Sequence, residues 1–118
     1  MNVDGTERNG GAPRPVSQLR LYVAGQAPNS VRAIANLEDL RREFGQERFD
    51  LEIVDVLAEP LRALQDRVLV TPTLVKLSPL PVIYIVGDLS RHYEVVHALG
   101  LDPADSTRHS ADSPAGPH

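Results

Sequence analysis

The first stretch whose residue types and spacing could support chemistry is residues 23–32, Val-Ala-Gly-Gln-Ala-Pro-Asn-Ser-Val-Arg. An apolar run ends at Gly25, the chain turns through Pro28, and a helical pattern follows. Corners of this kind hold phosphate groups on free helix amides or carry pairs of reactive cysteines. Neither Gly-rich phosphate signature is present, and thiol exchange is excluded because the chain has no cysteine. A plain strand-to-helix turn is therefore the favoured interpretation.

The remaining reactive side chains form no local catalytic or metal-binding pattern. His92 and His97 are five residues apart, so on a helix they diverge instead of forming an i, i+4 metal pair. The serines in predicted turns lack the G-x-S-x-G elbow of hydrolases, and the mixed charges along residues 38–43 are typical of a solvated face. We therefore predict no enzymatic activity, no cofactor and no metal ion.

Composition limits the classes of protein further. The chain has 118 residues, 42% of them hydrophobic, and a formal net charge of -4. That length fits one domain with tails, and the acidic balance argues against nucleic-acid and anionic-membrane partners. No apolar run approaches the roughly 20 residues that span a bilayer, and no apolar signal segment is visible. We expect a soluble cytoplasmic protein.

The elements that must position these residues lie in one predicted domain, residues 17–101. Residues 1–16 and 102–118 have little to bury and are predicted to be disordered tails. Residues 19–23 and 49–56 alternate between apolar and polar side chains, as strands do. In the second strand Asp50 and Glu52 share a face, which indicates an edge or partly solvated strand that is usable for docking.

A helix is predicted between these two strands. Asn29 or Ser30 is expected to cap its start and Gly45 to end it. Strand, helix and strand then form a right-handed parallel βαβ unit. The apolar face of the helix is predicted to comprise Val31, Ile34, Leu37, Leu40 and Phe44.

The second half of the domain begins with a short helix at Pro60, for which we predict that Leu61, Leu64 and Val68 lie on one face. A strand resumes after Pro72. The residue directly before the third strand of such a domain is commonly a cis proline, and Pro72 occupies that position.

Residues 82–86 are almost wholly apolar, so they are predicted to be a well-buried strand that forms an antiparallel hairpin with the strand after Pro72. Pro79, Pro81 and Tyr84 beside this run are equally compatible with a binding surface and with a core strand after a proline turn. Asp88 is expected to cap a final helix. Its packed face is predicted to comprise Leu89, Tyr93, Val96 and Leu99.

The resulting order, β-α-β-α-β-β-α, is an α/β, thioredoxin-like plan. Four linked motifs then carry a family resemblance: L-R-L-Y-V-A-G-Q-A-P-N-S-V-R-A, I-V-D-V-L-A-E-P, L-V-T-P-T-L-V-K and P-V-I-Y-I-V-G-D-L-S. In this order and spacing they resemble the KaiB family of circadian clock proteins over residues 18–101.

The resemblance implies a non-catalytic protein that binds the clock ATPase KaiC and recruits other components. It also implies two folds: a ground state that assembles into tetramers, and a thioredoxin-like state that binds KaiC. A related domain serves as the sensor of a clock-linked histidine kinase. This chain shows no kinase region and resembles the free-standing type, with a dimer or tetramer as the possible homo-oligomer.

Departures from the family pattern indicate a diverged member. Ile83 and Tyr84 replace two arginines that clock-type KaiB usually carries, and Glu52 stands where a basic residue is common. Because Ile83 and Tyr84 extend an apolar strand, we predict that this chain prefers the thioredoxin-like state. The matched basic residues are Arg32 and Lys76. The predicted partner-binding residues are Arg32, Glu52, Lys76, Asp50 and Tyr84.

The leading hypothesis from the sequence is a non-catalytic clock or regulatory adaptor that binds a KaiC-type ATPase. The alternative is a signalling module that docks on a histidine kinase or another regulator outside a true oscillator. A third possibility is a small-molecule-binding or enzymatic thioredoxin-like protein.

Overall fold

The computed structural model describes residues 16–105, and its elements follow the predicted order β-α-β-α-β-β-α. The tails predicted over 1–16 and 102–118 lie outside the described residues, apart from Val16 and residues 102–105. The elements are β1 (Ser17–Val23), α1 (Pro28–Phe44), a 3-10 helix (Gln46–Arg48), β2 (Phe49–Asp55), α2 (Pro60–Gln65), β3 (Thr73–Ser78), β4 (Ile83–Val86), α3 (His92–Ala98) and a second 3-10 helix (Pro103–Asp105).

The strands form one mixed sheet in the order β2-β1-β3-β4. β1 and β2 are parallel, β3 is antiparallel to β1, and β4 is antiparallel to β3. The predicted parallel βαβ unit and the predicted hairpin are therefore both confirmed. β2 is an edge strand, as the charges of Asp50 and Glu52 indicated. The Thr71–Pro72 peptide bond that precedes β3 is cis.

The sheet buries side chains on both faces. Alternation along β1 sends Leu21 to one face and Tyr22 to the other, and along β3 it does the same with Leu74 and Val75. The larger core lies on the side of α1 and α3. The smaller core lies on the side of α2, where Ala63 joins Tyr22 and Val75.

The start of α1 differs from the prediction. The helix begins at Pro28, and Asn29 and Ser30 lie inside its first turn, so neither is the cap. Proline suits the first helical position because its missing N–H has no partner there in any case. Ser30 instead accepts a hydrogen bond from the Ala24 backbone N–H at 3.0 Å. The predicted end is confirmed, since Gly45 follows the helix with a φ of 98° that favours glycine.

The face predicted for α2, comprising Leu61, Leu64 and Val68, is only partly buried, and Val68 lies beyond the end of the helix. Leu61 and Leu64 are 69% and 65% exposed, whereas Ala63 and Val68 are buried. A six-residue helix is too short for a three-to-four spacing to indicate which side faces the sheet. Here the small Ala63 side chain lies against the sheet, and the leucines point away from it.

The prediction of a well-buried strand at residues 82–86 is wrong. β4 is the outer strand on the side of β3, and its outward side chains Tyr84 and Val86 are 47% and 64% exposed. Only Ile85 packs against the larger core. A run of apolar residues does not reveal that one face of an edge strand is left without a covering helix.

The final helix is present but begins later than predicted. It starts at His92 without a side-chain cap, so Asp88 is not its cap. Asp88 accepts a hydrogen bond from the Ser90 N–H and stabilises the bend before the helix. Tyr93, predicted to be packed, is exposed, and so is Val31 on α1. The buried residues on this side are Leu37, Leu40, Phe44, Leu89, Val95, Val96 and Leu99.

Candidate partner interface

A network of charged side chains covers the face of the sheet on which α2 lies. Arg62 of α2 donates two hydrogen bonds to the Glu52 carboxylate, at 2.6 and 2.8 Å. This two-pronged geometry is the strongest form of the arginine–carboxylate pair. Arg20 donates to Glu52 at 3.0 Å and to Asp66 at 2.7 Å. The network therefore joins α2 and the loop after it to β1 and β2.

Tyr22 anchors this network from inside the sheet. Its side chain is fully buried, and its hydroxyl donates to the Asp66 carboxylate. The Arg62 carbonyl lies 3.1 Å from the same oxygen. Burial, followed by the hydrogen bond to Asp66, raises the pKa of Tyr22 above its ordinary value. The buried hydroxyl thus fixes the position of the end of α2.

The network also sets the charge state of its carboxylates. The hydrogen bonds from Arg62 lower the pKa of Glu52 to about 2, and Arg20 contributes to the same shift. Partial burial opposes ionisation of Asp66, but the hydrogen bonds from Tyr22 and Arg20 outweigh it and hold its pKa below the ordinary value. Both carboxylates are therefore ionised near neutral pH.

Tyr84 brings β4 into the same assembly. Its hydroxyl donates to the Asp66 backbone carbonyl at 2.8 Å. Alternation along β2 places Asp50 and Glu52 on the face of the buried Val54, which packs with Ala63 of α2. Three of the five predicted binding residues, Asp50, Glu52 and Tyr84, thus share one face of the sheet.

Beside the network lies an exposed apolar area that the sequence did not predict, here termed the leucine surface. A groove of about 400 Å³ runs along it, lined by Val56, Ala63 and Val68 among others. The spacing of Leu61 and Leu64 predicts that they share one face of a helix but not that this face is exposed. The signal that could have found this surface is that residues 57–70 carry more large aliphatic side chains than one short helix can bury. The leucine surface comprises Leu57, Leu61, Leu64, Leu69 and Val70, which are 73%, 69%, 65%, 89% and 52% exposed.

The corner between β1 and α1 adjoins the leucine surface. The Asp55 carboxylate accepts hydrogen bonds from the backbone N–H groups of Gly25 and Leu57, at 3.1 and 3.0 Å. Gly25 has a φ of 50°, and a Cβ added to it would lie 3.2 Å from the Leu57 side chain. The corner is therefore a rigid support for the leucine surface.

The two matched basic residues lie in different environments. The Arg32 side chain is 57% exposed and lies 3.4 Å from the Asp88 carboxylate. Hydrogen bonds from Ser90, with a smaller contribution from Arg32, hold the pKa of Asp88 below its ordinary value. Lys76 is only 5% exposed and donates to the Pro79 carbonyl. The structure therefore brings neither Arg32 nor Lys76 to the network around Glu52.

Within residues 16–105, no group of three or more histidine, aspartate or glutamate side chains is arranged to hold a metal ion. In the same part of the chain, none of the helices has the length and apolarity to cross a membrane.

The fold places the chain in the thioredoxin-like class. The N-terminal domain of Synechococcus elongatus SasA matches it with a TM-score of 0.60 at 22% identity, over 81% of this chain and 94% of that one. Chloroplastic thioredoxin z matches with a TM-score of 0.59 at 21% identity, over 74% and 80% of the two chains. At these identities the likeness shows the shared fold.

Sequence relatives define the family. The KaiB domain profile matches residues 20–101. The circadian clock oscillator protein KaiB of Synechococcus elongatus is 46% identical over 91 residues, 77% of this chain and 87% of that protein. The protein of the same name from Microcystis aeruginosa is 48% identical over 84 residues, 71% and 79% of the two chains. The chain belongs to the KaiB family, as its four motifs predicted.

Proposed function

We propose that this chain is a non-catalytic, cytoplasmic, clock-linked adaptor that binds a KaiC-type ATPase with its α2 face. The leucine surface is the observation that carries this proposal. Within residues 57–70, large side chains are 52–89% exposed, and three of them, Leu64, Leu69 and Val70, line one groove. Exposed apolar side chains grouped in this way are typical of a protein-binding surface on a soluble domain. Two further features support it: membership of the KaiB family and the thioredoxin-like arrangement, which the resemblance associates with KaiC binding.

The charged network gives this apolar surface a polar border. In protein interfaces an apolar centre excludes water, while charged groups at the border set orientation and partner choice. Glu52 on β2 and Tyr84 on β4 are held by bonds within the chain, so each presents a fixed side chain to the partner, at opposite edges of the sheet. Asp50 is exposed on β2, two residues from Glu52, and contributes negative charge at that edge.

Arg32 and Lys76 contribute to the proposed contact in different ways, because neither belongs to the leucine surface. Arg32 is exposed near the β1–α1 corner and contributes to electrostatic steering of the partner. Lys76 is buried and enters the contact only through the turn at residues 78–81 that its bond to Pro79 holds. We keep both residues as contributors, Arg32 direct and Lys76 indirect.

The direct test is gel filtration of the full chain with the KaiC-type ATPase of the same organism, with and without ATP. We expect a complex in at least one condition, and we expect the double variant Leu64→Gln/Leu69→Gln to abolish it. Tyr93→Gln, which removes an 85% exposed ring on α3, is the control and should leave the complex intact. No complex with the wild-type chain under either condition would overturn the proposal. The chain alone reports its homo-oligomeric state in the same runs.

The charge reversal at residue 52 has its own test. Glu52→Lys alone would place a third cation beside Arg20 and Arg62, so it would disturb the fold as well as the surface. The variant Glu52→Lys/Arg62→Glu keeps an ion pair at this place while it returns a basic residue to β2. Tighter ATPase binding by this variant is expected if the lost positive charge weakens the contact, whereas unchanged affinity would remove that explanation.

The alternative is a signalling module that docks on a histidine kinase or another regulator. The shared fold with the SasA N-terminal domain is the observation that favours it. A complex of the full chain with a clock-type histidine kinase of the same organism, together with no complex with the ATPase, would select this alternative.

A further inference from the structure

Lys76 is a buried cation on the face of the sheet opposite to α2. It lies on the central strand β3, paired with Leu19 of β1 and Ile83 of β4. Alternation along β3 places it on the same side as the buried Leu74, the side of α1 and α3. Its side chain therefore lies on the side of the larger core and not on the side of the network around Glu52.

The contacts of this cation are few. An ammonium group has three N–H donors and no acceptor. Among residues 16–105 the structure gives it one hydrogen bond, to the Pro79 carbonyl, and no carboxylate within 4.0 Å. Taking a charged group out of water is strongly unfavourable unless a counter-charge and further hydrogen bonds compensate for it. Within residues 16–105, the ammonium group of Lys76 thus has one of its three possible hydrogen bonds and no counter-charge.

A pocket opens next to Lys76. It has a volume of about 390 Å³, within the range of small-molecule sites. Lys76, Arg48 and the buried Ser17 contribute its polar wall, so both of its charged groups are cations. The apolar wall comprises Pro79, Leu80, Pro81, Ile83, Leu99 and Leu101.

These walls specify the chemistry of a ligand. The buried ammonium of Lys76 and the Ser17 hydroxyl complement an anionic group, and the apolar residues complement a hydrocarbon part. The segment from Ala98 to Leu101, where α3 ends, lines the same pocket, and carbonyl groups at a helix end disfavour additional negative charge. A singly charged carboxylate therefore fits better than a doubly charged phosphate.

We propose that this pocket binds a small carboxylate with an apolar side group, whose carboxylate is held by Lys76. The site is separate from the leucine surface and goes beyond the adaptor function. The same chemistry exists in a free metabolite and at the end of a polypeptide. The pocket volume of about 390 Å³ favours the free metabolite. Binding of a polypeptide end is examined as a separate part of the test.

The test is an NMR titration of the isotope-labelled full chain with N-acetyl-L-leucine, matched with the uncharged N-acetyl-L-leucinamide. We expect the acid to shift the amide signals of Lys76, Ile83 and Leu101, and the amide to bind at least about tenfold more weakly. A tetrapeptide that ends in leucine provides the other source. Tighter binding of the peptide than of the acid would assign the site to a chain end.

Two variants establish whether Lys76 is responsible. Lys76→Met keeps the length of the side chain and removes its charge, and it should abolish binding of the acid. Arg42→Met, which removes an exposed cation on α1, should leave binding unchanged. Because an uncompensated buried charge is removed, Lys76→Met should also raise the urea midpoint of unfolding.

Equal binding of acid and amide by the wild-type chain, or no binding of either, would overturn the proposal without any variant. A lower urea midpoint for Lys76→Met would also contradict it, because it would show that the buried ammonium is already compensated within the chain.

Discussion

The two faces of the sheet are held by different kinds of interaction. The α1 and α3 side is closed by a large apolar core that includes Leu37, Phe44, Leu74 and Val96. The α2 side has a small apolar cluster and depends on Tyr22 and the ion pairs around Glu52. The difference teaches that polar bonds fix α2 in place while its leucines stay exposed, which leaves that face available to a partner.

The largest expected effect comes from shortening a leucine on the apolar side. Leu37 is 1% exposed, so Leu37→Ala should lower the free energy of unfolding by about 2–5 kcal/mol. Leu64→Ala removes the same atoms from an exposed position and should change it by less than about 0.5 kcal/mol. Urea unfolding of both variants measures this contrast, and similar losses would show that the faces do not differ.

The next effect tests the polar anchor of the other face. Tyr22→Phe leaves the Asp66 carboxylate without its buried donor and should cost about 1–3 kcal/mol. Tyr84→Phe removes a hydroxyl from a ring that is 47% exposed and should cost less, because water can replace the bond. Urea unfolding again gives the comparison. A smaller loss for Tyr22→Phe than for Tyr84→Phe would contradict the assignment of Tyr22 as the anchor.

A pH dependence should follow from the Glu52 ion pairs. The pKa of Glu52 is lowered from 4.5 to about 2, so the folded state binds its proton less readily than the unfolded state. Its contribution to stability is present above about pH 4.5 and is lost as the pH falls towards 2. Asp66, whose pKa is also lowered, adds a loss in the same direction.

Unfolding midpoints recorded between pH 6 and pH 2 check this dependence. Glu52→Gln should reduce the loss of stability over that window, and Arg62→Gln should do the same because it removes the main cause of the shift. If both variants kept the wild-type pH dependence, the ion pairs would not be responsible for it.

Among the polar contacts, the smallest effect is expected at Arg32. Its 3.4 Å pair with Asp88 is exposed, so Arg32→Ala should cost less than about 1 kcal/mol. Salt screens such pairs, and the difference from the wild type should shrink further at high ionic strength. A loss as large as that of Tyr22→Phe would show that this corner, and not the α2 face, contains the main polar anchor.

The order of the helices and strands could be predicted because each element has its own local spacing of apolar residues in the sequence. Alternation in residues 49–56 and the charges of Asp50 and Glu52 indicated an edge strand, and Gly45 indicated the end of the long helix. Which side of a short apolar element is covered depends on distant parts of the chain. That is why the periodicity of these short segments does not reveal that Leu61, Leu64 and Tyr84 are exposed.

The candidate interface could also be predicted only in part from the local sequence. Glu52 was identifiable as a departure from the family pattern, but its partners Arg62 and Arg20 are 10 and 32 residues away. Their meeting requires the parallel pairing of β1 with β2 and the docking of α2. Lys76 is likewise buried because it lies on a central strand. A charged residue type predicts exposure, so this burial could not be predicted from the sequence.

The central claim, that the α2 face binds the partner, is tested most directly by amide hydrogen exchange of the full chain with and without the KaiC-type ATPase. We predict slower exchange on binding in residues 57–70, with α1 and α3 unchanged. Protection confined to α1 and α3, with residues 57–70 exchanging as in the free chain, would contradict the account.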